Sequence, residues 1–327
     1  MKASSKTARN HKTIITAIDI RDMAGVRPFL SVYGHVTIDQ IISIERFPEI
    51  NETVDVLSKV TTLGGTGTNI AMAAAKLGVP TAICAFVGGD FPPRYEKEME
   101  GSGLIMDEMV RVDGYESSQA IVVNDSEKRQ KVIFNQGPQG SASSLNMMIK
   151  NNALESTYVH FCTGEPDYYT SVMKEIRPAG PKIALDPAQE TYKMWDTGRM
   201  REALSWSDTL FCNKYEARVI EKYLGIDNVL DVEKGLVVCT EGENGSVAKI
   251  DGERIRIPAI EGKRFKDATG AGDAYRAGFY CGLYKGFSIP ESLILAASVA
   301  SFVIEEVGAL TNIPEWEEVL ERAEGYL

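Results

Sequence analysis

From residue 29 onward the chain alternates short apolar runs with stretches in which apolar residues return every three or four positions. The runs at 29–33, 81–86, 158–162, 182–185, 209–212 and 235–239 predict strands. The periodic stretches at 69–77, 94–100, 168–176, 214–223, 272–284, 292–305 and 315–326 predict helices. Strand and helix in this alternation predict an α/β fold, a mostly parallel sheet with helices on both faces. A second texture interrupts the first. Segments 41–47 and 53–63 follow a two-residue period, and 119–124 with 130–135 flank the turn Asn124-Asp125-Ser126-Glu127. These predict antiparallel hairpins that form a small β flap, from segments near 41–63 and 119–135, on one large domain covering 29–327. A separate second domain is the weaker alternative.

Glycine and polar residues follow the predicted strands at 34–39, 163–165, 186–187, 213 and 240–242. Ligands of open parallel sheets bind beyond the carboxyl ends of the strands. The five junctions therefore predict one crevice, with the flap placed to close over it.

Composition narrows the functional classes. Lys and Arg number 35 against 46 Asp and Glu, a net charge of −11, with no basic block. Binding to a nucleic-acid backbone needs clustered cations, so no nucleic-acid partner is expected. The apolar fraction of 44% and charged fraction of 25% are those of a globular chain. Five scattered cysteines without a CxxC pair indicate reduced thiols and a cytoplasmic location, not a disulfide scaffold or zinc site. The three histidines show no metal-ligand spacing, and His160, inside an apolar run, reads as a core residue. The longest apolar stretch, 293–304, falls short of the ~18–20 residues of a membrane span and reads as a buried helix. Residues 1–28 are polar and mildly basic, and their apolar patch at 13–20 is broken by Asp19, which argues against a secretion signal. They read as a flexible extension, with Met23 as an alternative start.

The stretch Asp267-Ala268-Thr269-Gly270-Ala271-Gly272-Asp273 carries the sharpest chemistry. Its small residues leave backbone N–H groups uncovered at a helix start, where orphan donors and the helix dipole favour an anion. Asp273 in the first turn is placed to take a proton from a hydroxyl attacking a phosphoryl group bound there. A structural alternative, a capping box with Thr269 as N-cap, fails because its third following residue is Gly272. Downstream, Ala274, Gly278 and Gly282 at every fourth position predict close helix packing.

Gly64-Gly65-Thr66-Gly67-Thr68-Asn69 opens an Ala-rich helix and matches neither a dinucleotide fingerprint nor a Walker loop. It reads equally as a ligand approach, with the Asn69 amide meeting a hydroxyl, or as a loop capped by Thr68 or Asn69. Asp39, at the end of the first strand and loop, suits a pair of sugar hydroxyls or a turn. Asn213-Lys214-Tyr215-Glu216 suits hydrated Mg²⁺ and phosphate, but Asn-x-x-Glu also occurs at Asn124, Asn152 and Asn312. Residues 240–246 read first as a hairpin turn.

Taken together, these stretches resemble the ribokinase-like (PfkB) carbohydrate and nucleoside kinases from residue 29 to the C-terminus. The resemblance implies that Asp273 is the catalytic base and that the amides of Gly270, Ala271 and Gly272 form the anion hole. It implies acceptor-sugar contacts from Asp39, Gly65 and Asn69. Asn213, Thr240, Gly242 and Gly245 would hold ATP, and Glu216 would meet Mg²⁺ through water. Segment 308–312 would close the adenine side. Some members bind a monovalent cation near the signature, and Asp267 and Thr269 match that location, which makes K⁺ a candidate. Segments 163–167, 186–189, 213–216 and 311–314 are most similar to archaeal broad-specificity nucleoside kinases. The implied reaction is ATP- and Mg²⁺-dependent phosphorylation of a nucleoside 5′-hydroxyl, with Gln136 and Gln189 reading the base.

Two other readings stand beside it: a ribokinase-type kinase acting on a sugar, and a non-catalytic module that senses a sugar or nucleotide. Asp273 in register favours an enzyme. No Arg or Lys adjoins Asp39 or Asn69 in sequence, which tilts against a phosphorylated sugar. The apolar alternation of 53–63, if on an exposed edge, would pair with a twin and give a homodimer through the flap. The basic extension departs from the family pattern, as does Asp186, which stands where sugar kinases vary.

Overall fold

The computed structural model describes residues 27–127 and 129–327, so the extension expected over residues 1–28 lies, through residue 26, outside the described residues. The strands are β1 (Leu30–Tyr33), β2 (Thr37–Ile44), β3 (Val56–Gly64), β4 (Thr81–Gly88), β5 (Ile105–Val112), β6 (Ser118–Asn124) and β7 (Gln130–Asn135). They continue with β8 (Tyr158–Phe161), β9 (Lys182–Leu185), β10 (Thr209–Asn213), β11 (Leu236–Thr240), β12 (Ser246–Ile250) and β13 (Glu253–Ile257). The helices are α1 (Thr66–Lys76), α2 (Pro93–Gly101), α3 (Asn151–Glu155), α4 (Pro166–Ile176) and α5 (Thr197–Trp206). After them come α6 (Lys214–Leu224), α7 (Ala271–Tyr284), α8 (Ile289–Val303) and α9 (Trp316–Ala323).

Nine strands form one sheet in the order β13-β12-β11-β10-β9-β8-β1-β4-β5. It is parallel from β5 through β11, and the β12–β13 hairpin closes one edge antiparallel. Successive strand residues point to opposite faces, so β4 splits its side chains between two cores. Ile83, Ala85 and Val87 pack with α1, α7 and α8, while Cys84 and Phe86 pack with α4 on the other face. At Gly278 of α7, a Cβ would meet Val299 Cγ2 at 2.8 Å and Ala296 Cα at 2.9 Å, so the small-residue stripe lets α8 lie directly against α7.

The flap is a four-stranded sheet ordered β3-β2-β6-β7. Its two hairpins are antiparallel, and they join through a parallel β2–β6 pair. Among the described residues, no helix is long and apolar enough to cross a membrane.

Several expectations need correction. Asp39 does not end a loop but sits within β2, because that strand begins at Thr37. Helix α1 begins at Thr66 with Gly65 as N-cap, so Thr68 and Asn69 lie inside it and neither caps it. Strands β5, β12 and β13 and helices α3 and α5 were not predicted from the pattern. Strand β5 carries Asp107, the buried Glu108 and Arg111 among its apolar residues, which hides it from an apolar-run reading.

Candidate active site

The carboxyl ends of the central strands and the inner face of the flap enclose a cavity of about 500 Å³. From the sequence-predicted residues it gathers Asp39, Gly65, Asn69, Asn213, Glu216, Thr240, Thr269, Gly270, Gly272 and Asp273, together with Gln136 and Gln189. Ala271, Gly242, Gly245 and Asp267 do not line it. Gly242 and Gly245 belong to the tight β11–β12 turn, closed by the Glu241 amide donating to the Gly245 carbonyl at 2.7 Å.

One wall of the cavity is shaped by close backbone approach. Gly65 has φ +98°, and a Cβ there would fall 2.3 Å from the His35 carbonyl oxygen. That contact seats the start of α1 against the loop after β1, and it turns Asn69 toward the far wall. Asp39 accepts from the Thr37 hydroxyl at 2.5 Å, and burial raises its pKa above the ordinary carboxylate value.

On the opposite wall α7 starts bare. Its N-cap is Gly270, at φ +76°, with no side chain bonding the first-turn amides. A Cβ on Gly270 would stand 2.2 Å from Ala309 Cβ, so only glycine lets the segment after α8 close behind this turn. Asp267 fastens the arrangement. Its Oδ1 accepts from the Thr269 amide at 3.0 Å and hydroxyl at 2.8 Å, and its Oδ2 accepts from the Gly308 amide at 3.0 Å. Burial raises the Asp267 pKa, but these donors outweigh it and leave the carboxyl below its usual range.

Asp273 joins the two walls. Asn69 Nδ2 donates to Asp273 Oδ2 at 2.8 Å across 204 residues of sequence. Burial pushes the Asp273 pKa up to about 7; the Asn69 bond and the Arg276 charge pull down, while Asp186 and Glu216 push up. The group thus titrates near neutrality, the range that suits a general base.

The Asn213–Glu216 pair is engaged with itself. Asn213 Oδ1 accepts from the amides of Tyr215 and Glu216, at 2.8 and 3.0 Å, while Glu216 accepts from the Asn213 backbone N–H at 2.8 Å and side-chain amide at 2.7 Å. This is a capping box on α6. Burial, followed by the nearby Asp186, raises Glu216 to about 7. Among the described residues, no three His, Cys, Asp or Glu side chains gather as metal ligands.

Glu190 and Lys193 also line the cavity and carry no sequence signal, whereas His35 falls in the predicted junction 34–39. His35 is 1% exposed, its ring packs edge-on against Phe134 of β7, and neither ring nitrogen has a hydrogen-bond partner. Burial lowers its pKa to about 4, which leaves the ring neutral. Gln136 donates to Glu190 Oε1 at 2.8 Å, and Gln136 Oε1 and Glu190 Oε2 are left without partners. Lys193 and Arg276 also line the cavity, so cations do reach it although none adjoins Asp39 or Asn69 in sequence. His160 is a core residue, as read: it is fully buried and pairs through Nδ1 with the Tyr280 hydroxyl at 2.9 Å.

The model of the pfkB family of carbohydrate kinases matches residues 27–316. A nucleoside kinase of Methanothermobacter thermautotrophicus is 32% identical over 304 residues, covering 92% of this chain and 96% of that protein. One of Methanocaldococcus jannaschii is 30% identical over 305 residues, covering 92% and 99%. The crystal structure of the latter enzyme, described as an archaeal member of the ribokinase family, superposes with a TM-score of 0.83 over 92% of this chain and all of that one, at 29% identity. A Burkholderia thailandensis nucleoside kinase, solved in complex with inosine, shares the fold with a TM-score of 0.81 at 24% identity, covering 91% and 97%.

Proposed function

We propose that this chain, which belongs to the pfkB family of carbohydrate kinases, is a nucleoside kinase that moves the γ-phosphoryl group of ATP to the ribose 5′-hydroxyl. It is a phosphotransferase with a hydroxyl acceptor. The observation that carries the reading is the Asn69–Asp273 hydrogen bond, which joins a sugar-binding wall to an uncapped helix start.

Asp39, Gly65 and Asn69 hold the ribose, and the Asp39 carboxylate accepts from its vicinal hydroxyls. The 5′-hydroxyl then faces Asp273, which takes its proton as the oxygen attacks. The amides of Gly270 and Gly272 stabilise charge on the transferring group. Ala271 does not line the cavity, and its N–H already donates to the Ala268 carbonyl at 3.1 Å, so the anion hole expected of all three amides narrows to two. The unpartnered nitrogens of His35 and oxygens of Gln136 and Glu190 give the base end unspent hydrogen-bonding capacity. Gln136 and Gln189 read the base edge there, and Phe134 and Val132 of the flap cover its face.

Asn213, Thr240 and the turn carrying Gly242 and Gly245 meet the nucleotide. The donor set suits a Mg²⁺ ion that travels with ATP. Both Glu216 oxygens are held by Asn213, so Glu216 would meet the ion through water. When bound, the ion neutralises phosphate charge. Asp267, ionised beside Thr269, supplies the oxygen-rich, negative surroundings that a monovalent cation such as K⁺ would need. Five buried free thiols support a reducing, cytoplasmic setting. Edge strand β3 exposes Val56, Leu57 and Val60, and pairing of two copies through the flap covers them.

ADP release from ATP across a panel of nucleosides and free sugars tests the reading. Nucleosides should be the best acceptors. Free ribose as the best acceptor would instead support a ribokinase-type sugar kinase. Ligand binding with no ADP from any acceptor would support the sensing module.

A further inference from the structure

Helix α7 carries an arginine where its neighbours Tyr275, Ala277 and Phe279 are all buried. Arg276 is 5% exposed, and a guanidinium so placed must find partners for its charge and its N–H groups. Its Nε donates to Asp186 Oδ2 at 2.7 Å and its Nη2 to Asp186 Oδ1 at 3.3 Å, a fork between segments 90 residues apart. Its Nη1 donates to the Gly272 carbonyl at 3.3 Å, within the first turn of its own helix. His160 Nε2 lies 3.4 Å from Asp186 Oδ2 on its core side without making a hydrogen bond to it. A buried ion pair is weak evidence of a stability role, since apolar residues of similar volume often serve as well or better. This pair, moreover, lines the cavity that holds Asp273.

Asn69 from α1 donates to Asp273, and Asp186 after β9, Glu216 from α6 and Arg276 from its own helix line the same cavity, with the Cys162 thiol after β8 the other titratable group near it. Three carboxylates, Asp186, Glu216 and Asp273, thus lie around one guanidinium, which bonds Asp186. Without it, each would favour protonation of the others, and a base that holds its proton cannot accept another.

We propose that Arg276, clamped between Asp186 and the Gly272 carbonyl, is a positioning residue for phosphoryl transfer: it fixes the first turn of α7, which carries Asp273, and is the positive charge set among the carboxylates there. The proposal rests on the nucleoside-kinase reading of the site. Its sign is definite. Loss of the positive charge raises the proton affinity of Asp273, so the acid limb of the turnover profile moves to higher pH.

Arg276→Met alone strands a buried carboxylate and risks unfolding. The test therefore uses the double variant Arg276→Met, Asp186→Asn alongside Arg276→Lys. Removing the Asp186 charge works in the opposite direction but by less, because Arg276 is the stronger influence on Asp273. In the folded double variant we expect the acid limb of kcat to rise by about one pH unit. That is about a tenfold loss of kcat below the limb, with little change at pH 9 and nucleoside KM within about threefold. Arg276→Lys, which keeps the charge, should restore most of the limb position.

A ¹³C NMR titration of the Asp273 carboxyl, assigned against Asp273→Asn, reads the same quantity without turnover. Its midpoint should rise in the double variant and return in Arg276→Lys. A folded double variant with an unmoved limb and an unmoved NMR midpoint overturns the proposal, as does an equal displacement in Arg276→Lys. A wild-type protein inactive on every acceptor refutes the nucleoside-kinase reading and the catalytic half of this one. The NMR midpoint then still decides whether Arg276 sets the charge of Asp273.

Discussion

Replacing Asp273 by Asn removes the proposed base at almost constant shape, and the Asn69 amide keeps an oxygen to donate to. Loss of a general base costs about 10²–10⁴ in kcat, while nucleoside KM should stay within about threefold, because the ribose contacts come from other residues. The wild-type enzyme should lose turnover on acidification around pH 7, where Asp273 is half ionised, and the variant should lose this limb. Stability should change in the opposite direction. The folded-state pKa near 7 lies above an unfolded value of ~3.9, so the folded protein binds this proton more tightly than the unfolded chain does. The contribution of this group to wild-type stability is therefore greatest below the unfolded value and declines as pH rises through about 4 to 7, by up to ~4 kcal/mol. An amide cannot ionise, so Asp273→Asn escapes this decline. Urea unfolding at pH 4.5 and pH 8, with coupled ADP assays on the same preparations, reads both effects. The variant should exceed the wild type by only about 1 kcal/mol at the lower pH and by about 4 kcal/mol at the higher one. Wild-type turnover in the variant, or a variant less stable than wild type at pH 8, would refute the reasoning.

Other substitutions separate the parts of the site. Asn69→Ala removes a hydrogen bond to a charged group, worth about 1.5–3 kcal/mol; nucleoside KM should rise about tenfold or more, and the acid limb should move to higher pH because Asn69 holds the Asp273 pKa down. Gly270→Ala meets both a positive φ and Ala309, so it should cost about 1–3 kcal/mol of stability, seen in Tm, and raise the KM for ATP. Asn213→Ala breaks the capping box of α6, which should lower stability by about 1 kcal/mol and weaken ATP use without altering nucleoside KM.

The flap and the central strands of the main sheet were legible because their signals are local. β4 is buried along its whole length, and β2 and β3 pair as one hairpin within a short stretch of chain. The bare start of α7 was legible for the same reason, since its glycines and Asp273 are adjacent. What was hidden depends on distant partners. Nothing near Asp186 announces Arg276, and nothing near His35 announces that Phe134 of the flap packs against its ring. The turn at 240–246 joins β11 to β12, whereas the β12–β13 hairpin that follows carries no such signal, because alternating charged residues in Glu253–Ile257 resemble a solvated loop until the sheet edge is known. Asn213 and Glu216 show the reverse limit: their spacing carries two meanings, and the structure displays the capping one.

The most direct test of the central claim is a crystal structure with a nucleoside and a non-hydrolysable ATP analogue bound together. The 5′-oxygen should lie within about 2.6–3.2 Å of an Asp273 carboxylate oxygen, with the γ-phosphate seated on the amides of Gly270 and Gly272. A nucleoside whose 5′-oxygen points away from Asp273, or a terminal phosphate bound elsewhere than at the start of α7, would contradict the claim.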